Sequence, residues 1–210
     1  MSIQFDKVQP KNKEQLKQLI NYAFNHNIYD LNFIDTSKIT DMSKLFMSCE
    51  YDFDVSSWDV SNVTNMSQMF YFCVNFNCDV SGWDVSNVKN MRQIFYGCTR
   101  LNTDLSVWNV SNVTDMNHMF FCCENFDIKC FESWDVSNVT DMTSMFAFCN
   151  KFDCDLSNWD VSNVTGMYYM FGHCKQFDCD LSHWNTSKVK DMKNMFTGCN
   201  RLTIPDWYKK

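Results

Sequence analysis

Hydrophobic and polar positions repeat along most of the chain with a single period. Trp falls at 58, 83, 108, 134, 159 and 184, a spacing of 25, 25, 26, 25 and 25 residues. Each Trp opens a segment such as Trp-Asp-Val-Ser-Asn-Val-Thr-Asn-Met-Ser-Gln-Met-Phe, which runs from Trp58 to Phe70, with a Cys three residues further on. An earlier copy starts at Ile34, with Ile in the Trp place, so there are seven units over residues 33–200. This period suits a leucine-rich repeat or a parallel β-helix and is too short for a propeller blade, a tetratricopeptide or an ankyrin repeat. One such unit cannot bury its apolar face alone, whereas a stack of them makes one continuous core.

Within a unit the period changes. In Phe152-Asp-Cys154-Asp-Leu156 the apolar residues share one face and the two Asp the other, which predicts a short strand. Trp159, Val161 and Val164 follow in a rhythm close to that of a leucine-rich repeat, with Trp in the Asn position. Met167, Met170, Phe171 and Cys174 then fall at i, i+3, i+4 and i+7, the spacing of a helical face. Thr with Asp or Asn ahead of the Met reads as an N-cap at Thr40-Asp41, Thr64-Asn65, Thr114-Asp115 and Thr140-Asp141. The predicted unit is therefore a strand, a turn and about two turns of helix.

The expected fold is an α/β solenoid, a leucine-rich-repeat-like right-handed superhelix of seven rungs with terminal caps, and the alternative is a parallel β-helix. Residues 1–32 form an N-terminal capping helix region, in which Leu16, Leu19, Ile20, Ala23 and Phe24 make an apolar stripe after Pro10. Residues 33–200 form the solenoid, and residues 201–210, which leave the consensus, close the last rung. Parallel rungs lie about 4.8 Å apart, so the stack is expected to be on the order of 30–35 Å long.

Composition narrows the function classes. Hydrophobic residues make up 45% and charged residues 20%, which is a folding composition, and only 5 Gly and 2 Pro exclude collagen-like and linker-like chains. A net charge of −7 disfavours nucleic acid as a partner. The N-terminus shows no signal peptide and no apolar run is long enough to span a membrane, so cytoplasmic residence with reduced thiols and no membrane insertion is expected. The alternative is the cell surface or secretion by a non-standard route.

The recurring D-[LV]-S-x-W-D-V-S-N-V-T-x-M-x-x-M-F core resembles the repeat of the BspA-like leucine-rich-repeat proteins, including the branch of mycoplasma repeats of unknown function. The resemblance covers residues 33–200 in register, and the opening P-K-N-K-E-Q-L-K-Q-L-I resembles the entry segment of short members from host-associated bacteria. It implies a curved solenoid and, more loosely, surface display, adhesion or host-protein binding. It attaches no catalytic residues to the motif.

Positions that recur in every unit are expected to serve stacking, and positions that change are available for function. The Trp column reads as core, because a soluble protein rarely leaves such a strip open. Cys49, Cys73, Cys98, Cys123, Cys149, Cys174 and Cys199 form a second column, with a shorter one at Cys78, Cys154 and Cys179. Their spacing is the repeat period and no C-x-x-C pair exists, so they read as packed thiols; Cys122 and Cys130 fall outside the columns. Asp59, Asp84, Asn109, Asp135, Asp160 and Asn185, with Ser61, Ser86, Ser111, Ser137 and Ser162 two positions on, read as turn caps. The N-V-T sequons at Asn62, Asn112, Asn138 and Asn163 are products of the repeat. The histidines, His26, His118, His173 and His183, have no recognised ligand spacing, and no metal or cofactor is expected.

Two surface features remain as candidate partner-binding positions. Asp54, Asp79, Asp104, Asp155 and Asp180 stand four residues before a Trp, with Asp52, Asp153 and Asp178 two residues earlier. Stacked like charges repel, so this strip reads either as a solvated face or as a site for cations or a basic partner. Tyr71, Tyr96, Tyr168 and Tyr169, with Phe72, Phe121 and Phe148, lie among the inward Met and Phe and suggest a protein-binding or self-association patch. The clearest break in the repeat, around Lys129, Cys130 and Glu132, is not a catalytic constellation. The expected function is therefore a non-enzymatic scaffold for a protein partner of unknown identity; the alternative is an exported bacterial adhesin.

Overall fold

The computed structural model describes residues 7–125 and 131–209. The break in the repeat at Phe126, Lys129 and Cys130 lies outside the described residues. Helix α1 spans Lys13–Asn25 and begins at the Asn12 cap, whose side chain accepts from the Gln15 N–H. Its apolar stripe buries Leu16, Ile20 and Ala23 on the first unit, and Lys13 bridges to Asp41 at 3.1 Å. A short 3-10 helix, Asp206–Lys209, lies at the other end.

The units between these ends depart from the sequence expectation. Among the described residues none contains an α-helix or a strand longer than an isolated bridge. Each is instead a succession of β-turns. In the second unit Trp58 N–H donates to the Val55 carbonyl, Val63 to Val60, Met69 to Met66 and Cys73 to Phe70. The expected helical face has a simple replacement. Two consecutive turns place their corner residues at i, i+3, i+4 and i+7, the same spacing as Met66, Met69, Phe70 and Cys73.

The N–H groups left over by the turns bond sideways. Met66, Gln68, Phe70 and Phe72 donate to the carbonyls of Asn90, Arg92, Ile94 and Tyr96 in the next unit, at 2.7–2.9 Å. Parallel bridges join Asp41, Asn65, Asn90, Asp115, Asp141, Gly166 and Asp191 in one column. The parallel pairing thus sits beside the Met. The Phe152–Leu156 segment, expected to be the strand, keeps its alternation of buried and exposed side chains without ladder bonds. The expected N-caps are also different structures: Asp41 and Asn65 accept from the N–H two residues on, closing a side-chain turn that leads into a β-turn.

This arrangement has a local cost. The second central residue of each of these two turns has positive φ, for example Gln68 at 59° and Phe72 at 55°. Such a conformation favours glycine and costs an ordinary residue roughly 1–2 kcal/mol. Only Gly97 and Gly198 meet it with glycine. In the first six units the sideways hydrogen bond made by the same residue's N–H offsets the strain.

The core is one contiguous cluster from Leu16 to Leu202. Its axis is a column of near-parallel rings, Phe46, Phe70, Phe95, Phe120, Phe146, Phe171 and Phe196, with successive centres 5.6–5.9 Å apart. The Trp column is buried, and each indole N–H donates to a carbonyl of the preceding unit, as Trp108 does to Val80 at 3.0 Å. From Cys73 onwards the long Cys column does the same with sulfur: Cys98 donates to the Phe70 carbonyl and Cys149 to Phe120, both at 3.0 Å. Burial pushes these thiols well above their ordinary pKa, with Cys73 pushed up to about 12. They are packing groups that also satisfy a backbone acceptor.

Candidate interaction surfaces

The acidic column is built from turns. Asp54, Asp79, Asp104, Asp155 and Asp180 each accept the N–H of the serine two residues on, at 2.8–3.1 Å. Asp30 extends the column backwards, accepting from Asn32 at 3.0 Å. Contacts between units add to this: Thr103 donates to Asp79 at 3.2 Å, and the Cys78 and Cys179 thiols approach Asp54 and Asp155 at 3.3 and 3.5 Å. The carboxylates therefore carry a structural duty, which accounts for their recurrence despite mutual repulsion.

Their ionisation reflects this duty. For Asp79, Asp155 and Asp180, hydrogen bonds from the following serine hold the carboxyl below its ordinary value of 3.8. For Asp54 burial is the largest single influence and acts upwards, but bonds from Ser56, Asn32 and Cys78 together outweigh it. A lowered folded pKa stabilises the fold above the ordinary carboxylate value, and that contribution is lost as pH falls through the lower folded values. Asp115 moves the opposite way, raised by burial. The melting temperature should therefore fall on acidification below about pH 4. A variant with Asp79→Asn and Asp155→Asn should lose less. Asn109 and Asn185 already accept from the serine two residues on, at 3.2 Å, so the turn survives the change. Equal acid sensitivity in thermal melts of variant and parent would refute the role of these carboxylates.

Grooves lie along the strip, among them the following two. One, of about 400 Å³, is lined by Tyr29, Asp52, Asp54, Cys78 and Asp79 among others. The other, of about 470 Å³, is lined by Asp153, Asp155, Asp178, Asp180, Cys179 and His183 among others. Among the described residues no three His, Cys, Asp or Glu side chains are grouped so as to hold a metal ion.

The aromatic positions lie on a different flank, at the centres of the turns. Tyr71 stacks on Tyr96 at 4.7 Å and Tyr96 on Phe121 at 4.6 Å. The strip then shifts by one turn position: Phe121 meets Phe148 edge-on at 5.4 Å, and Phe148 stacks on His173 at 4.9 Å. Tyr169 joins Phe148 at 5.9 Å and Tyr168 lies 5.9 Å from Tyr169. Phe72 and Tyr168 are exposed, and Tyr71, Tyr96 and Tyr169 half-buried. Phe72 leans over Gly97, where an added Cβ would meet its ring at 3.0 Å. The structure thus brings the named tyrosines into one discontinuous strip and keeps it apart from the aspartates.

His118 and His173 belong to this strip and were not recognised from sequence. His118 stacks on Tyr96 at 6.0 Å, and burial pushes its pKa below the ordinary value. Both occupy the positive-φ positions of their turns. Aligning the units on the two turns, rather than on a helix, would have placed them beside the tyrosines.

No helix among the described residues is long and apolar enough to cross a membrane. A family model described as a Mycoplasma protein of unknown function, DUF285, matches residues 14–131 and 123–208. No curated protein and no solved structure matches the chain.

Proposed function

We propose that this chain, which belongs to the DUF285 family of Mycoplasma proteins of unknown function, is a non-enzymatic scaffold that binds a protein partner through the flank of its stacked units. The observation that carries this reading is the division of labour among the turn positions. Corner residues recur and are buried, whereas the first central residue of the second turn runs Met47, Tyr71, Tyr96, Phe121, Ala147, Gly172 and Thr197. A constant frame with a varied, partly exposed aromatic strip is how repeat proteins carry recognition. The parallel bonding between units supports a solenoid whose local turn chemistry lies nearer a parallel β-helix. The recurring D-[LV]-S-x-W-D-V-S-N-V-T core supports kinship with the BspA-like leucine-rich-repeat proteins.

The test compares the parent chain with a Tyr71→Ser, Tyr96→Ser variant as baits in lysate of the native cell, after thermal melts show both folded. A discrete protein captured by the parent should be held at least about tenfold more weakly by the variant, the loss expected on removing a central aromatic. Equal capture by both would place recognition elsewhere. Absence of any captured protein in both cytosolic and surface fractions would overturn the scaffold reading.

A further inference from the structure

We propose, resting on the scaffold reading, that Arg92 selects the partner of the aromatic flank by pairing with an Asp or Glu side chain of a partner segment. The positions at the centres of the two turns carry no Asp or Glu in any of the seven units, although the chain has 25 acidic residues and a net charge of −7. The Lys and Arg residues at those positions are Lys44, Arg92 and Lys193. Arg92 breaks a column that reads Ser67 in the unit before and Asn117 in the unit after. It belongs to the same pair of turns as Tyr96, which stacks on Tyr71 and on Phe121 in the units to either side.

The surroundings leave this guanidinium to an outside partner. Arg92 is exposed, and its side chain makes no hydrogen bond or salt bridge among the described residues. Two carboxylates at the base of these turns are committed elsewhere. Asp115 accepts the Asn117 N–H at 2.9 Å, and Asp141 accepts the Thr143 N–H at 2.8 Å and the Asn117 amide at 3.0 Å. Burial raises the Asp115 pKa against the opposing charge of Arg92. Burial lowers the His118 pKa, and the charge on Arg92 lowers it further. His118 is therefore neutral at neutral pH, which leaves Arg92 as the cation beside Tyr96. Glu50 and Glu124 follow the closing Cys of the second turn, at the opposite end of the turn pair from the Arg92 position. The Tyr71 and Tyr96 hydroxyls also make no hydrogen bond among the described residues. A carboxylate brought to Arg92 meets a planar fork that offers two parallel N–H···O bonds. Apolar side chains of the same segment would pack on Tyr71, Tyr96 and Phe121, keep water from the pair and strengthen it.

The test selects short random-sequence peptides, displayed on phage, against the full chain. The net charge of the body by itself favours Lys and Arg in the selected peptides, so the composition discriminates. Enrichment of Asp or Glu beside an aromatic or aliphatic residue is expected. A selected peptide is then labelled with fluorescein and its binding followed by anisotropy. Arg92→Ser, which copies Ser67 of the preceding unit, should weaken binding by about tenfold or more at an unchanged melting temperature, and Arg92→Lys by less. Changing the peptide's Asp or Glu to its amide should cost as much on the parent and nothing further on Arg92→Ser, as a direct pair requires. Selection of basic or uncharged peptides, no selectable peptide, or independent losses in this cycle would each overturn the proposal. A parent that sediments as a dimer, with Arg92→Ser monomeric, would put a second copy on the flank and overturn it too. Two outcomes separate this result from the scaffold reading. Peptides that lose binding to the Tyr71→Ser, Tyr96→Ser variant yet carry no acidic residue would remove the role of Arg92 and leave the flank. Peptides that bind that variant as they bind the parent would remove the flank as well.

Discussion

Replacing Trp108 with alanine should lower the folding free energy by about 4–5 kcal/mol, among the largest effects of any single substitution in the stack. The indole is 3% exposed, packs 6.0 Å from the Phe95 ring and donates to the Val80 carbonyl at 3.0 Å. Its removal opens a cavity between units and strands a buried acceptor. In a chain of this size the melting temperature should fall on the order of 10–15 °C. Trp108→Phe separates the two contributions: it keeps most of the packing and loses the hydrogen bond, at about 1–3 kcal/mol. Trp207 makes the same kind of bond at the C-terminal end, to Leu181 at 2.8 Å, but is only partly buried. Trp207→Ala should therefore cost clearly less. Urea titrations followed by intrinsic fluorescence would decide it. A loss under about 2 kcal/mol for Trp108→Ala would show that the neighbouring units close over the gap.

The second large effect lies in the ring column. Phe146 is fully buried, with Phe120 and Phe171 5.7 and 5.8 Å away and Phe152 at 4.1 Å. Phe146→Ala should cost about 3–5 kcal/mol. Phe72, 45% exposed on the turn flank, should cost under about 1 kcal/mol when changed to alanine. The contrast is the informative quantity, because the two residues share chemistry and differ in place. Similar losses at both sites, in the same denaturation experiment, would mean that the flank is structural and would weaken its reading as a recognition surface.

Much of the architecture was legible because the chain repeats. The Trp and Cys columns could be assigned to packing from recurrence alone; the Trp column and the inner members of the long Cys column, Cys73 to Cys174, are buried. The N-terminal stripe of Leu16, Ile20 and Ala23 could be read as one helical face, since thirteen residues of regular spacing leave little ambiguity. Inside the units the same reasoning misled. Met167, Met170, Phe171 and Cys174 satisfy a helical face and a pair of successive turns equally well, because both geometries bring i, i+3, i+4 and i+7 to one side. Spacing alone cannot separate them. The residues between the corners carry a clue: Gly97, Gly172 and Gly198 sit where a helix former would be preferred. The acidic column was placed on a strand for a related reason. Alternation of Phe152, Cys154 and Leu156 with two Asp reports burial, and burial alternates in an extended segment whether or not its backbone joins a ladder.

The ladder between units has a direction, and that gives the whole stack an electrical polarity. At each junction four N–H groups of this row point towards the C-terminal unit, against one backbone N–H, such as that of Lys89 to Thr64, that points back. Their peptide dipoles add along the stacking axis, as they do along a helix axis. The first unit is the negative pole, and Lys13 beside Asp41 is the counter-charge it favours. Residues 192–198 stand at the positive end of the described stack, where the exposed Lys190 and Lys193 add to the field instead of cancelling it. The described stack is thus an acidic body whose C-terminal end is comparatively cationic.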